Sequence, residues 1–443
     1  MQPELTQQHA GTSESSIGLK QPTLLAILLF FLLFSGPPSF RLRDPSDSVE
    51  NVIDSTVIFQ SAVWVVAGLW TLYQLYRDFR ADRQIRLYLP HKLGLVMILF
   101  LGLSTFVSEA PMFTAFKVGQ LLVSLLFSLL FVHRYGIAKC LDYVFVGSTL
   151  LCIAIAIAVF VAPDLVLFSD EGNMRLRGDP IAVMGIVGTY STILLFIKSR
   201  QIPKLIFWPL LIFLCTMLAF SLTRQAWFLV LAFLLLYLAR RSKGALTRNL
   251  IFLFLAIFPL VFVFYILPAL QEYRATDSIW SLTGRTDLWL YLVDIALTKS
   301  AWIGLGYYSA SRILALDFNP GMGTAHSVFV EILLGGGLLS LIPCMALCFW
   351  LIRRALQFLS KKRTDLEFAC GALFIVTMTL GLLGGDIGNG EVGITFWSLA
   401  AAIPAMYRQP SMVQQNSTLP RVTKLARATP TSITLDNRRR AET

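Results

Sequence analysis

The chain has few groups able to do chemistry, and they stand at the edges of long apolar runs. His326 lies in GMGTAHSVFVEILLGGG at the head of one such run. The other three of its four histidines, His9, His91 and His133, fall in segments assigned below to the opposite side of a membrane. Arg224 occurs in SLTRQAW between two apolar stretches. Arg285 occurs in SLTGRTDLW, with Gly284 before it and Asp287 two residues on, and Arg175 and Arg177 share MRLRGDP. Lys117 falls one turn into an apolar run after Ala110-Pro111. Neutral imidazole can accept a proton from an attacking hydroxyl. A guanidinium cannot act as a base at neutral pH, but its fork holds diphosphate oxygens in a bidentate way. One histidine among arginines at the edge of a lipid-accessible bundle therefore points to chemistry on a diphosphate-linked lipid. The arginines would stabilise the leaving diphosphate, and the histidine would activate an acceptor hydroxyl. Plain anion binding would use the same groups. Taken singly, Arg224 also reads as a positional charge at a span end and Arg285 as a salt-bridged loop arginine. One of Arg175 and Arg177 reads as solvated, and Lys117 as a lysine snorkelling to the interface.

A membrane bundle must position these residues. Of 443 residues, 56% are hydrophobic and 14% charged, with a mean hydropathy of +0.68. A soluble chain carries about 25% charged residues. The apolar content suffices for roughly 12 spans of ~20 residues. This excludes a soluble enzyme, a disordered tail protein and a disulfide-stapled secreted domain. The expected fold is all-α: a polytopic integral membrane protein of about 12 transmembrane helices with one larger periplasmic loop. The apolar runs are 23–40, 52–76, 93–107, 112–132, 137–162, 180–197, 204–222, 224–239, 250–269, 326–352, 367–385 and 392–406.

With the N-terminus cytoplasmic, 27 of the 37 Lys and Arg fall on inside segments. Nine fall outside (Arg41, Arg43, Arg175, Arg177, Arg224, Arg274, Arg285, Lys299 and Arg312), and Lys117 lies within a span. This loop-by-loop alternation is the positive-inside pattern and puts both termini in the cytoplasm. The net charge of +11 thus reports topology and not a nucleic-acid partner. The expected organisation is a cytoplasmic tail over 1–22, nine spans over 23–269, a periplasmic loop over 270–325, three spans over 326–406 and a disordered cytoplasmic tail over 407–443. The first run has no small-residue cleavage site after it and reads as a retained span. In the larger loop, Leu288–Leu297 reads as an interfacial helix with Trp280, Trp289 and Trp302 as headgroup-level anchors. Six cysteines form no CxxC, and Cys344 and Cys348, at helical i, i+4 spacing, read as a packing contact and not a metal site.

Three stretches, SLTRQAWFLVLAFLLLY from Ser221, TGRTDLWLYLVDIALTKSAWIGLGYY and TAHSVFVEILLGGGLLSLI, resemble the superfamily of O-antigen ligases and O-antigen or exopolysaccharide polymerases. The shared pattern is a Ser/Thr-Arg at a span end, a Gly-Arg-Thr-x-x-Trp segment leading to a Gly-x-Gly-Tyr turn (here Gly304 to Tyr307), and a histidine before a Gly-rich stretch (Gly335–Gly337). The resemblance covers roughly residues 170–350. It implies a metal-independent inverting glycosyltransferase with a many-span helical fold and no cofactor, in the bacterial inner membrane. The donor would be a glycan on undecaprenyl diphosphate presented at the periplasmic face. The acceptor would be a second glycan or a lipid A core, with other polysaccharide-assembly proteins as companions. By the same resemblance His326 is the catalytic histidine, Arg224 and Arg285 handle the diphosphate, and Arg177 matches the arginine-glycine of the smaller outer loop. Arg175 and Lys117 complete the candidate diphosphate-binding set. The sequence departs from the family in two places: DPIAVMG lacks an asparagine, and His326-Ser327 stands where the family has His-Asn.

The alternative from another class is a twelve-span transporter or flippase for polysaccharide or lipid-linked oligosaccharide. Against it, no internal repeat is visible, and Lys198–Lys204 is too short for the central loop that usually joins two halves. Within the enzyme class, ligase and polymerase share donor chemistry and differ in acceptor. The modest outer loop favours polymerase.

Overall fold

Inside a bilayer every backbone N–H and C=O must find a partner within the protein, so an apolar chain of this kind crosses as helices. The computed structural model describes residues 21–36, 55–163, 167–170, 173–176, 178–221, 223–242, 285–318, 324–360, 363–382, 387–388 and 390–408, with 244, 246, 249 and 253 as isolated positions. The helices are α1 (Leu24–Ser35), α2 (Ser55–Arg80), α3 (Leu89–Leu103), α4 (Pro111–Tyr135), α5 (Ile137–Val161), α6 (Gly178–Ile197), α7 (Lys204–Ser221), α8 (Arg224–Arg241), α9 (Arg285–Ser300), α10 (Ser309–Phe318), α11 (Val328–Phe358), α12 (Asp365–Leu382) and α13 (Gly390–Arg408).

Six of the described helices are long and apolar enough to cross a membrane: α2, α3 with its following turn, α4, α5, α7 and α11. Two shorter apolar helices are α1 and Val183–Ile197 of α6. The run expected at 250–269 lies outside the described residues apart from 253, as do Arg177, Trp280 and most of both tails. The described elements are helical, as expected, apart from one short segment. The smaller outer loop forms an antiparallel hairpin, β1 (Leu167–Asp170) with β2 (Asn173–Leu176), in which Phe168 pairs with Arg175.

The bundle has a largely apolar buried centre and an apolar exterior. Helix α13 supplies much of the centre, with Ile394, Phe396, Trp397, Leu399 and Ile403 all buried. The Trp397 indole N–H donates to the Ile387 carbonyl at 2.9 Å. Hydroxyls tie helix to helix: Ser124 donates to the Gly388 carbonyl at 2.7 Å, and the Tyr190 and Thr377 hydroxyls meet at 3.0 Å. Small polar side chains suit such contacts because lipid tails provide no hydrophobic drive between helices. Leu69, Phe79, Leu99, Ile212 and Phe349 face outward, as a lipid-facing surface requires.

Charge is paired at one end of the bundle. The Arg134 guanidinium at the end of α4 binds the buried Asp78 carboxylate of α2 at 2.7 Å and also contacts Gln74. Arg240 at the end of α8 reaches Asp365 at the start of α12 at 3.1 Å, and Lys198 pairs with Asp142. The basic members, Arg134, Arg240 and Lys198, are among the groups the charge pattern assigned to the cytoplasmic side. Lys117, Arg224 and His326 belong to the other ends of α4, α8 and α11.

Helix α11 is broken in its middle. Gly337 has φ 63° and ψ −164°, a conformation open essentially to glycine alone. The break leaves helix carbonyls and N–H groups without intrahelical partners. The segment after α9 supplies them. Leu305 and Gly306 N–H donate to the Leu334 and Gly335 carbonyls at 2.8 and 3.2 Å. Leu338 and Leu339 N–H donate to the Ala301 and Trp302 carbonyls at 2.8 and 3.2 Å. The turn around Gly304-Leu-Gly-Tyr is thus docked into the break by main-chain bonds, and it fixes α9 and α10 against the first half of α11.

Candidate functional site

The site grows from helix starts. Arg224 is the first residue of α8, Arg285 the first of α9, and His326 stands two residues before α11. A helix N-terminus carries partial positive charge and unsatisfied N–H groups, both suited to an anion. Contacts along the chain draw these starts together. Leu288 and Leu292 of α9 are fully buried in one apolar cluster with Leu333 and Leu334 of α11. The Gln225 amide, next to Arg224, donates to the Thr379 carbonyl of α12 at 2.7 Å. Two residues on, a Cβ on Gly381 would lie 3.5 Å from a Val328 methyl at the start of α11.

His326 is held in an uncommon backbone state. Its φ is +51°, and among the described residues only Asp82 and Tyr308 share a positive φ without being glycine. Such conformations persist where the surrounding structure enforces them, and they concentrate at functional sites. Part of the enforcement is visible. The Trp289 indole N–H, one turn into α9, donates to the Ala325 carbonyl at 2.7 Å and so pins the residue before His326. Trp289 therefore does more than sit at headgroup level, whereas Trp302 stays exposed, as an anchor would.

Burial pushes the His326 imidazole down from 6.5 to about 4, and the nearby Arg285 guanidinium pushes in the same direction. Burial also lowers the Arg285 pKa. The imidazole is therefore neutral at physiological pH and able to accept a proton. The sign works out as follows. The unfolded histidine binds a proton below 6.5 and the folded one only near 4, so this group costs stability as pH falls through that interval. If His326 is the base of a reaction, the acid limb of kcat/KM is expected near pH 4 and not near 6.5. An anionic donor bound beside Arg285 would offset the guanidinium and move the acid limb of kcat upward. A pH series on the purified protein reads both limbs; a kcat/KM limb at 6.5 would refute the assignment.

The other expected residues are placed as follows. Arg175 is in β2, opposite Phe168, and β2 packs on α7. Lys117 lies in the second turn of α4, with its ammonium 4.7 Å from the Tyr308 ring centroid and 5.9 Å from that of Phe113. Arg177 lies outside the described residues. The sequence reading passed over Glu331, a buried carboxylate in α11 whose Oε1 accepts from the Ser311 hydroxyl at 2.8 Å. An acidic residue inside an apolar run was its available signal. Among the described residues no three His, Cys, Asp or Glu side chains gather as a metal site would need.

Residues 209–345 match a family model described as O-antigen ligase. The matched segment contains α8, α9, α10, the docked turn and the first half of α11, with Arg224, Arg285 and His326. No curated protein matches the chain.

Proposed function

We propose, from the match of residues 209–345 to a family model described as O-antigen ligase, that this integral membrane protein transfers a glycan from undecaprenyl diphosphate to an acceptor hydroxyl. The acceptor is a second lipid-linked glycan or a lipid A core. The reaction takes place at the periplasmic face of the bacterial inner membrane, with about 12 spans and both termini cytoplasmic. The observation that carries this reading is the half-buried His326, held at positive φ beside Arg285 at the opening of α11.

In the reaction, the acceptor oxygen forms a bond to the anomeric carbon as the bond from that carbon to the diphosphate oxygen breaks. The electron pair leaves with the diphosphate, and the acceptor proton passes to His326. Attack opposite the leaving group inverts the anomeric centre. Arg224 and Arg285, at two helix starts, hold the developing diphosphate charge. Arg175, Arg177 and Lys117 are secondary contacts for anionic parts of the substrates.

Replacing Arg224 with Lys tests the diphosphate role. The ammonium keeps the charge but presents a point and not a fork. Transfer from undecaprenyl-diphosphate-linked glycan, assayed in membranes holding equal amounts of each protein, is expected to fall by about 10-fold or more. Unchanged turnover would remove Arg224 from the donor site. Supplying lipid A core in one arm and only lipid-linked glycan in the other separates ligation from polymerisation.

A further inference from the structure

Ala325 is fully buried, in the same apolar cluster as Leu288 and Leu292 of α9. A buried carbonyl needs a donor in place of water, and the Trp289 indole N–H supplies one at 2.7 Å. That oxygen lies on the 325–326 peptide plane, and φ of His326 is the rotation of this plane about the N–Cα bond. With α11 held in place, a return of φ from +51° to the ordinary negative range would swing the oxygen away from the indole. The left-handed backbone of His326 and the bond from Trp289 are therefore one constraint.

The chain after His326 is fixed separately. Ser327 is extended at φ −154° and caps α11, its carbonyl accepting from the Glu331 N–H at 2.9 Å. Ser327 and Val328 are both buried. The indole adds a constraint that comes from outside α11.

The same helix also fixes the charge beside the imidazole. Arg285 and Trp289 are four residues apart on α9 and so lie on one face, a turn apart. Arg285 acts on the His326 side chain through its charge, and Trp289 acts on the main chain ahead of it. Leu288 and Leu292 pack this stretch of α9 against Leu333 and Leu334 of α11. One helix thus sets guanidinium and imidazole relative to each other. A base working beside a leaving group must keep such a relation to within about 0.5 Å.

We propose that Trp289 is a positioning residue for His326: its indole N–H holds the 325–326 peptide in the orientation that gives His326 its left-handed backbone, and so aims the imidazole. The kinetic consequence rests on the glycan-transfer reading, whereas the orientation of the imidazole does not. Trp289→Phe removes the donor and keeps an aromatic ring on α9. Trp302→Phe, at an exposed indole, is the control. In membranes with matched protein levels, Trp289→Phe is expected to lower kcat by about 10-fold to 100-fold, with donor and acceptor KM within about 2-fold. Trp289→His keeps a ring N–H in the place of the indole one and should retain more of kcat than Trp289→Phe. Unchanged kcat in Trp289→Phe, an equal loss in Trp302→Phe or in Trp289→His, or a loss confined to KM would each overturn the proposal.

The second measurement needs no turnover. The chain has four histidines, so nitrogen-15 imidazole signals of the detergent-solubilised protein can be assigned to His326 with the His326→Ala variant. The His326 signal is expected to titrate near pH 4 in the wild type and in Trp302→Phe, and to move towards 6.5 in Trp289→Phe as the ring leaves its place by Arg285. The other three signals should stay where they are. A wild-type titration of His326 in Trp289→Phe would overturn the proposal. So would a shift of all four signals, which would make Trp289 a residue of the fold at large. If His326 alone shifts while the wild type transfers no glycan, the positioning role stands and the glycan-transfer reading falls.

Discussion

His326→Ala is expected to lower glycan transfer by about 100-fold to 10,000-fold, the range that a positioned general base contributes. The protein should still fold and insert. The histidine is half-buried, at the end of the bundle and outside the apolar core around α13. Alanine at φ +51° bears the same backbone cost as histidine, so the substitution removes the imidazole and little else. With no base, the acceptor hydroxyl must lose its proton to water while the arginines still hold the diphosphate. Donor binding is therefore expected to stay near the wild-type value while kcat falls. The measurement is transfer in membranes with matched protein levels, together with donor affinity from the concentration dependence. Near-normal kcat would remove His326 from the chemistry. Loss of donor affinity at unchanged kcat would make it a binding residue.

The second large effect concerns architecture. Gly337→Ala is expected to destabilise the protein by about 3 kcal/mol or more, from a non-glycine residue in glycine-only backbone space plus overpacking against main chain. A Cβ at this position would lie 2.3 Å from the Trp302 carbonyl carbon and oxygen. Main chain cannot swing aside as a long side chain can. Relief requires the turn over 301–306 to withdraw from α11, and its four main-chain bonds to the break would go with it. The same withdrawal would free Tyr308 and α10, so activity should fall along with the thermal midpoint of the detergent-solubilised protein. Gly119 is the control. It lies on α4 with nothing within 4 Å of an added Cβ, and Gly119→Ala should leave the midpoint unchanged. An unchanged midpoint for Gly337→Ala would mean that the break is not glycine-dependent.

Much of the candidate site could be read in the sequence because its signals are local. A lone histidine heading an apolar run, and arginines set against the inside bias of positive charge, announce themselves by type and position. Helix α9 was legible from its apolar stretch, and the structure packs Leu288, Leu292 and Ala296 of that stretch against α11. The hairpin was missed because two four-residue strands are too short to outweigh an otherwise helical pattern. The break in α11 was not legible either. Gly335-Gly336-Gly337 reads as a Gly-rich stretch inside one apolar run, and nothing in the run itself says that a turn some 30 residues earlier supplies its missing hydrogen bonds.

Residue types and their order determined that this chain is an apolar helical protein, and they singled out one histidine and a few arginines as candidates for chemistry. Those conclusions follow from sums and periods along one dimension. The tertiary structure alone decided which of the leftover charges meet. It set Arg285 beside His326, bonded the Trp289 indole to the Ala325 carbonyl, and brought Lys117 to Tyr308 across almost 200 residues. The physical reason is that such meetings depend on where a helix breaks and which main-chain groups then need partners, and local sequence does not encode either one.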